Sequence, residues 1–221
     1  MNTPLRVAVL GTGTVGQVLA TRLVELGHQV TLGSRTADNP KAQAWAAQTG
    51  GRHANFAQAA AAAELVINAV SGVHSLAALE AAGAQNLAGK VLVDVSNPLD
   101  FSGGFPPTLS VCGDDSLAEQ IQRAHPEARV VKALNTLANP IMVQPSLVPG
   151  EHILPICGDD AEAKAQVAAL LESFGWRSSQ LLDLGPLSQA RGTEAWLLLW
   201  TRLYGVLGTG MFNLVLARGE G

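Results

Sequence analysis

Val7-Ala-Val-Leu-Gly11-Thr12-Gly13-Thr14-Val15-Gly16 decides how the rest of the chain is read. The run from Leu5 to Leu10 is short and apolar, as a buried strand would be. It breaks into Gly-x-Gly-x-x-Gly. Val15, Val18, Leu19, Leu23 and Leu26 then share one face at three- and four-residue spacing, which predicts a helix. Strand, glycine turn and helix in that order form the setting a dinucleotide fingerprint requires. Gly11 would permit the tight turn, Gly13 would let backbone approach a pyrophosphate, and Gly16 would let the helix lie close on the strand. The amides at the helix start would face the phosphates, aided by the helix dipole.

The next strand is expected over Gln29 to Gly33, followed by Ser34-Arg35. NAD-binding chains usually place Asp or Glu at this strand end to hold the ribose 2′-hydroxyl. Here Ser34 offers a hydroxyl and Arg35 a fork of N–H donors suited to a phosphate. The pair points to NADP(H) over NAD(H), against the plainer reading of Arg35 as a solvated loop residue. Asn39 is left open as a further polar contact.

With 221 residues the chain can form one large α/β domain, or one with a small appendage. A net charge of −4 argues against a nucleic-acid partner, which needs a basic face. Cys112 and Cys157 have no metal or redox spacing and read as reduced, structurally neutral thiols. The strand beginning by Leu5 leaves no room for a signal peptide, so a cytoplasmic protein is expected.

Strands and helices alternate along the chain. Helices are predicted over Pro40 to Thr49, closed by Gly50-Gly51, and over Phe56 to Ala63, with a short strand from Arg52 to Ala54 between them. Leu65 to Val70 and Lys90 to Val95 read as strands buried on both faces. Ser71 and His74 open a helix to about Ala82, and Ser96-Asn97-Pro98 follows the later strand. Asp100 to Gly113 is the longest irregular stretch, either a cover for a ligand or a surface connection. Ser116 and Glu119 suggest a capping box for a helix to His125. Further strands are expected at Arg129 to Leu134, Ile153 to Cys157 and Trp176 to Asp183. Asp159-Asp160 reads as a helix N-cap, with Glu162 three residues on, for a helix ending near Phe174. The alternation predicts an α/β, Rossmann-type doubly wound, mostly parallel sheet with its site at the strand carboxyl ends.

Trp196 to Leu216 is mostly apolar and about long enough to span a bilayer. Arg202 inside it and Gly205, Gly208 and Gly210 interrupting it favour helices packed on the sheet or on a partner subunit. Residues 1–184 are therefore expected to form the NADP-binding domain and 185–221 a C-terminal helical segment. An apolar closing helix suggests a homodimer.

Gly11 to Gly16, Leu32-Gly-Ser-Arg35, Asp94-Val-Ser-Asn97, Val131-Lys-Ala-Leu-Asn-Thr136, Ile156-Cys-Gly-Asp-Asp160 and Leu184-Gly-Pro-Leu-Ser-Gln-Ala-Arg-Gly-Thr-Glu194 run the length of the chain. In them the sequence resembles the F420-dependent NADP oxidoreductase family and the related cytosolic reductase domain of the six-transmembrane metalloreductases. The resemblance implies NADPH lying across the strand ends, with hydride passing directly to a flavin-like ring stacked on the nicotinamide. It implies that Gly11, Thr12, Gly13, Thr14 and Val15 hold the pyrophosphate, and that Ser34 and Arg35 hold the 2′-phosphate. Val70, Ser71, Ser96, Asn97, Ala133 and Asn135 would line the ribose and nicotinamide, with Pro98 beside them and His74 touching the nucleotide. Ser-Asn-Pro after Val95, and Asn135, follow the metalloreductase pattern; the F420 enzymes tend to have His at the latter position. No membrane domain or haem is expected within this chain.

Ring-to-ring chemistry asks little of side chains, and no catalytic acid, base, nucleophile or metal site stands out. The expected second carrier is F420, FMN or FAD. Competing readings are a small-substrate dehydrogenase of the hydroxyacid or imine-reductase type, for which Lys132 is the only nearby lysine, and a non-enzymatic NADPH sensor. Arg191 and Glu194, three apart on a helix, are expected to pair with each other.

Overall fold

The computed structural model describes residues 4–219. The first half is β1 (Arg6–Leu10), α1 (Thr14–Glu25), β2 (Gln29–Ser34), α2 (Pro40–Thr49), β3 (Arg52–Asn55), α3 (Phe56–Ala62), β4 (Leu65–Asn68), α4 (Gly72–Ala82), α5 (Ala84–Leu87) and β5 (Val91–Asp94). Next come a small hairpin, β6 (Leu99–Asp100) and β7 (Thr108–Leu109), then α6 (Leu117–Ala124) and β8 (Arg129–Lys132). The chain closes with α7 (Asn139–Val143), β9 (Leu154–Gly158), α8 (Ala161–Ser173), β10 (Leu181–Asp183) and α9 (Ala190–Leu207).

Eight strands form one sheet in the order β3-β2-β1-β4-β5-β8-β9-β10. The first six are parallel, so β1 and β4 flank the point where the winding reverses. Val7, Val9 and Ile67 face one apolar layer, with α1, α7 and α8. Ala8, Leu10 and Val66 face the other, with α3, α4 and α6. That two-sided burial is why β1 and β4 are continuous apolar runs rather than alternating ones.

Strand β9 runs antiparallel to β8, and β10 follows β9. No crossover helix is then needed, and residues 136–153 stay at the carboxyl end of the sheet as α7 and a 3-10 turn at Pro145–Leu147. Helix α9 leaves from the opposite end and returns past β8 toward the strand carboxyl ends.

Several sequence expectations need correction. The stretch after Asp100 is not wholly irregular, because Leu99–Asp100 pairs with Thr108–Leu109. The strand expected from Trp176 shrinks to Leu181–Asp183. Trp176 is buried instead by donating its indole N–H to the Met142 carbonyl at 3.0 Å. The closing segment is helical only to Leu207, where Gly208 takes a left-handed φ of 66° and stops α9. Beyond it the tail is extended: Val215 bridges His152, and Asn213 donates to the Ile153 carbonyl at 2.8 Å. Ser116 caps α6 by accepting from Glu119 N–H, but the reciprocal half of the capping box is missing. Glu119 instead takes a bidentate pair from Arg191 at 2.6 and 2.9 Å. Arg191 and Glu194 therefore do not pair.

Candidate active site

The glycine turn is held by backbone geometry. Gly11 N–H donates to the Gly33 carbonyl at 2.9 Å, fixing the turn against β2. Gly11 has φ +116°, and a Cβ there would stand 2.6 Å from the Ala69 carbonyl oxygen. A Cβ on Gly16 would strike the Gly11 carbonyl. Gly13 differs from both: its φ is −76°, and a Cβ would meet nothing within 4 Å. It precedes α1 with no side chain capping the helix, so the first amides of α1 are open to a ligand.

A cleft of ≈ 440 Å³ lies over this turn. Gly11, Thr12 and Gly13 form its floor, and Ser34 and Arg35 close one end. Val70, Ser71 and His74 approach from the β4 side. Strand β4 ends at Asn68, so Val70 is a loop residue rather than a strand residue. Arg35 is exposed, with no ion pair or hydrogen bond among the described residues. Ser34 is buried, and its hydroxyl donates to the Thr36 carbonyl at 2.6 Å, so it braces the turn that presents Arg35. The Asn39 carboxamide oxygen is spent on capping α2, from Lys41 and Ala42 N–H at 3.1 Å each.

A second cleft, also ≈ 440 Å³, has Val15, at the start of α1, as part of its wall. Its floor is Val95, Asn97 and Asn135, at the ends of β5 and β8. Asn97 Nδ2 donates to the Asn135 carbonyl at 2.8 Å, and Asn135 Nδ2 returns a bond to Asn97 Oδ1 at 2.9 Å. Asn135 Nδ2 also reaches the Thr193 carbonyl of α9 at 3.1 Å. Its Oδ1 is buried with no donor among the described residues. Leu134, just before it, has φ 65°, a left-handed conformation that costs a non-glycine residue about 1–2 kcal/mol. That turn brings Asn135 across to Asn97.

Not every sequence-expected residue reaches a cleft. Thr14 is exposed at the first turn of α1, outside both linings. Ser96 donates its hydroxyl to Asp94 Oδ1 at 2.6 Å, Ala133 is fully buried, and Pro98 packs under α4. These three brace the floor from behind.

Behind that floor lies a charge cluster that the sequence reading did not assemble. Lys132 Nζ donates to Asp94 Oδ2 and Glu194 Oε1 at 2.8 Å each, and to the Ser96 carbonyl at 2.5 Å. Its three protons are thus all used. Glu194 also accepts from the Leu117 and Ala118 amides at the α6 start, at 2.8 and 3.1 Å. Asp94 Oδ1 accepts from Asn68 Nδ2 at 2.9 Å. Lys132 and Asp94 are wholly buried. Burial alone would lower the Lys132 pKa, but Asp94 and Glu194 outweigh it and hold the ammonium above its ordinary range. Burial pushes Glu194 up, against the pull of Lys132. The signal was present: Asp94 and Lys132 each end an apolar run buried on both faces, where a charge needs a partner.

This geometry is that of a nucleotide-dependent oxidoreductase of the Rossmann type. The family profile described as NADP oxidoreductase, coenzyme F420-dependent, matches residues 6–98. A crystal structure from Arthrobacter sp. FB24, whose name proposes an F420-dependent NADP-reductase, is 51% identical, with 97% of this chain and 100% of that chain covered and a TM-score of 0.92. Metalloreductase STEAP3 from Rattus norvegicus is 35% identical over 198 residues, which is 86% of this chain but 36% of that protein. The chain thus spans about a third of that curated relative's length. An imine reductase from Pseudomonas sp. shares the fold, with a TM-score of 0.64 at 22% identity over 93% of this chain and 64% of that one. The chain belongs to the F420-dependent NADP oxidoreductase family. No helix among the described residues is long and apolar enough to cross a membrane.

Proposed function

We propose that the chain transfers hydride between NADP(H) and a flavin-type ring, F420, FMN or FAD. One observation carries this reading: two clefts take lining residues from the same glycine loop and helix start, Gly13 in one and Val15 in the other. A dinucleotide crossing that loop has its adenosine end beside Arg35 and its other end on the Asn97–Asn135 floor. The open position over Gly13 and the uncapped start of α1 fit a pyrophosphate, and the unpaired Arg35 fits a 2′-phosphate. When bound, the nicotinamide supplies the hydride.

The side chains have supporting parts. Thr12, Gly13 and Val15 shape the phosphate crossing, while Val70, Ser71 and His74 wall the first cleft. Asn97 and Asn135 fix each other, so the floor is set before any ligand arrives. Residues 1–184 form the nucleotide unit in this reading, and 185–221 the unit that closes it.

The test is anaerobic NADPH oxidation with F420, FMN and FAD offered in turn, beside NADPH binding by calorimetry. Turnover with one ring is the expected result. Tight NADPH binding without turnover on any of them would favour a sensor, and turnover on a small keto acid alone a dehydrogenase. A homodimer belongs to the same proposal, supported by exposed Leu199, Val206, Leu207 and Val215 near the chain end. Light scattering at micromolar protein checks it. A cytoplasmic setting is supported by two unpaired thiols, Cys112 and Cys157.

A further inference from the structure

The wall facing the Asn97–Asn135 floor is aromatic and uncharged. Trp200 is sandwiched between Tyr204 and Phe212, with ring centroids 5.6 and 5.4 Å away and interplanar angles of 17° and 27°. Phe105, from the β6–β7 hairpin, meets Tyr204 edge-on at 6.3 Å. Trp200 and Tyr204 line the second cleft, and Tyr204 is 43% exposed. Two polar atoms at this cleft are buried without partners among the described residues: the Asn135 Oδ1 acceptor and the Trp200 Nε1 donor. Together they match a ring edge that carries an N–H next to a carbonyl.

Among the described residues, no Lys, Arg, Asp or Glu lines this cleft. The basic residues nearest in sequence are engaged elsewhere. Lys132 is saturated by three partners, and Arg191 is held by Glu119. Arg202 donates to the Leu198 carbonyl, and helical spacing puts it on the side of α9 away from Trp200 and Tyr204. The contrast with the first cleft, which ends in an unpaired Arg35, is one of charge.

We infer that this cleft takes its acceptor by an uncharged, planar, N–H/carbonyl-edged ring and does not recognise a phosphorylated or polyanionic tail. This inference rests on the hydride-transfer reading above and narrows its acceptor class. An unphosphorylated isoalloxazine then serves as well as FMN. In the balanced step, one hydride leaves NADPH to give NADP⁺, the oxidised ring gains that hydride, and water supplies any further proton.

Riboflavin, FMN and F420 separate the possibilities. Their dissociation constants are measured by ring fluorescence on the NADP⁺-loaded protein, and kcat/KM by NADPH oxidation. Riboflavin and FMN should bind within about fivefold of each other, the most an unpaired, solvated charge is worth. Their affinities should not change with salt. Trp200→Ala should weaken both rings equally, by about tenfold, as expected for losing the Nε1 donor and the aromatic wall it holds together. Tyr204→Ala is the second variant if the first does not fold. FMN or F420 binding more than about tenfold tighter than riboflavin, and weakening with salt, would mean that a cation reads the tail and would overturn the inference alone. If NADPH binds and none of the rings does, the hydride-to-ring reading falls with it.

Discussion

In the first cleft, the proposed nucleotide side, backbone makes most of the site. Gly11, Gly13 and Gly16 set the turn, the start of α1 presents its amides, and Arg35 alone adds a full charge. In the second cleft, the proposed acceptor side, side chains make it. Asn97 and Asn135 brace each other, Trp200 and Tyr204 stack, and Lys132, Asp94 and Glu194 tie β8, β5 and α9 together underneath. The first side depends on residues close in sequence and the second on residues far apart. A substitution should therefore damage binding on one side and stability on the other.

The largest expected effect tests the second half of that statement. Lys132→Met leaves Asp94 and Glu194 buried without their cation and should cost about 3–5 kcal/mol of folding stability. Adding Glu194→Gln should recover part of the loss. Urea unfolding of the three proteins checks this, and a single variant within 1 kcal/mol of wild type would show that the cluster does not hold the acceptor side.

Gly13→Val probes the other half. Its Cβ enters open space at an ordinary φ, so the fold should survive, with circular dichroism unchanged. The side chain should occupy the pyrophosphate position and weaken NADPH by about a hundredfold or more. Unaltered affinity by calorimetry would remove the nucleotide from the glycine turn. Arg35→Asp should be milder and selective: NADPH weakens by about thirtyfold, the worth of a bidentate charged contact, while NADH changes little. Equal losses would mean that Arg35 does not read the 2′-phosphate.

The smallest effect is confined to alkaline pH. The folded protein holds the Lys132 proton more tightly than the unfolded chain, whose lysine titrates near 10.5. The resulting stability is complete below that value and is lost as pH rises above it toward the folded pKa. Unfolding free energies on either side of pH 10.5 should therefore diverge in wild type more than in Lys132→Met.

The same contrast decides what could be read in advance. The strand, turn and helix around Gly11 to Gly16 and the strand ending at Ser34 were legible because the spacing of glycines and apolar residues fixes local structure. α2 also matched, residue for residue, from Pro40 at its start to Gly50 at its left-handed end. The acceptor side was not legible. Arg191 lies three residues from Glu194, a spacing that predicts a helical pair, yet Glu119 and Lys132 claim them separately across 72 and 62 residues of sequence. Leu134 is not a residue type that announces a left-handed turn, and tertiary packing holds it there. Nothing local marks β9 as reversed either, since antiparallel and parallel buried strands carry the same apolar letters.

Lys132 and Glu194 also give the polypeptide a timetable. A chain emerging from the ribosome has the six parallel strands, the last of them β8, and with them the whole glycine turn, well before α9 is synthesised. Over that interval Asp94 is the only carboxylate of the cluster available to Lys132, and Leu117 and Ala118 begin α6 without the oxygen atoms that later accept from them. Glu194 satisfies all three donors at once, so the wall carried by α9 docks as the second carboxylate reaches the buried cation. Under the proposed function, a nascent chain would complete its nucleotide turn before the wall that faces the acceptor.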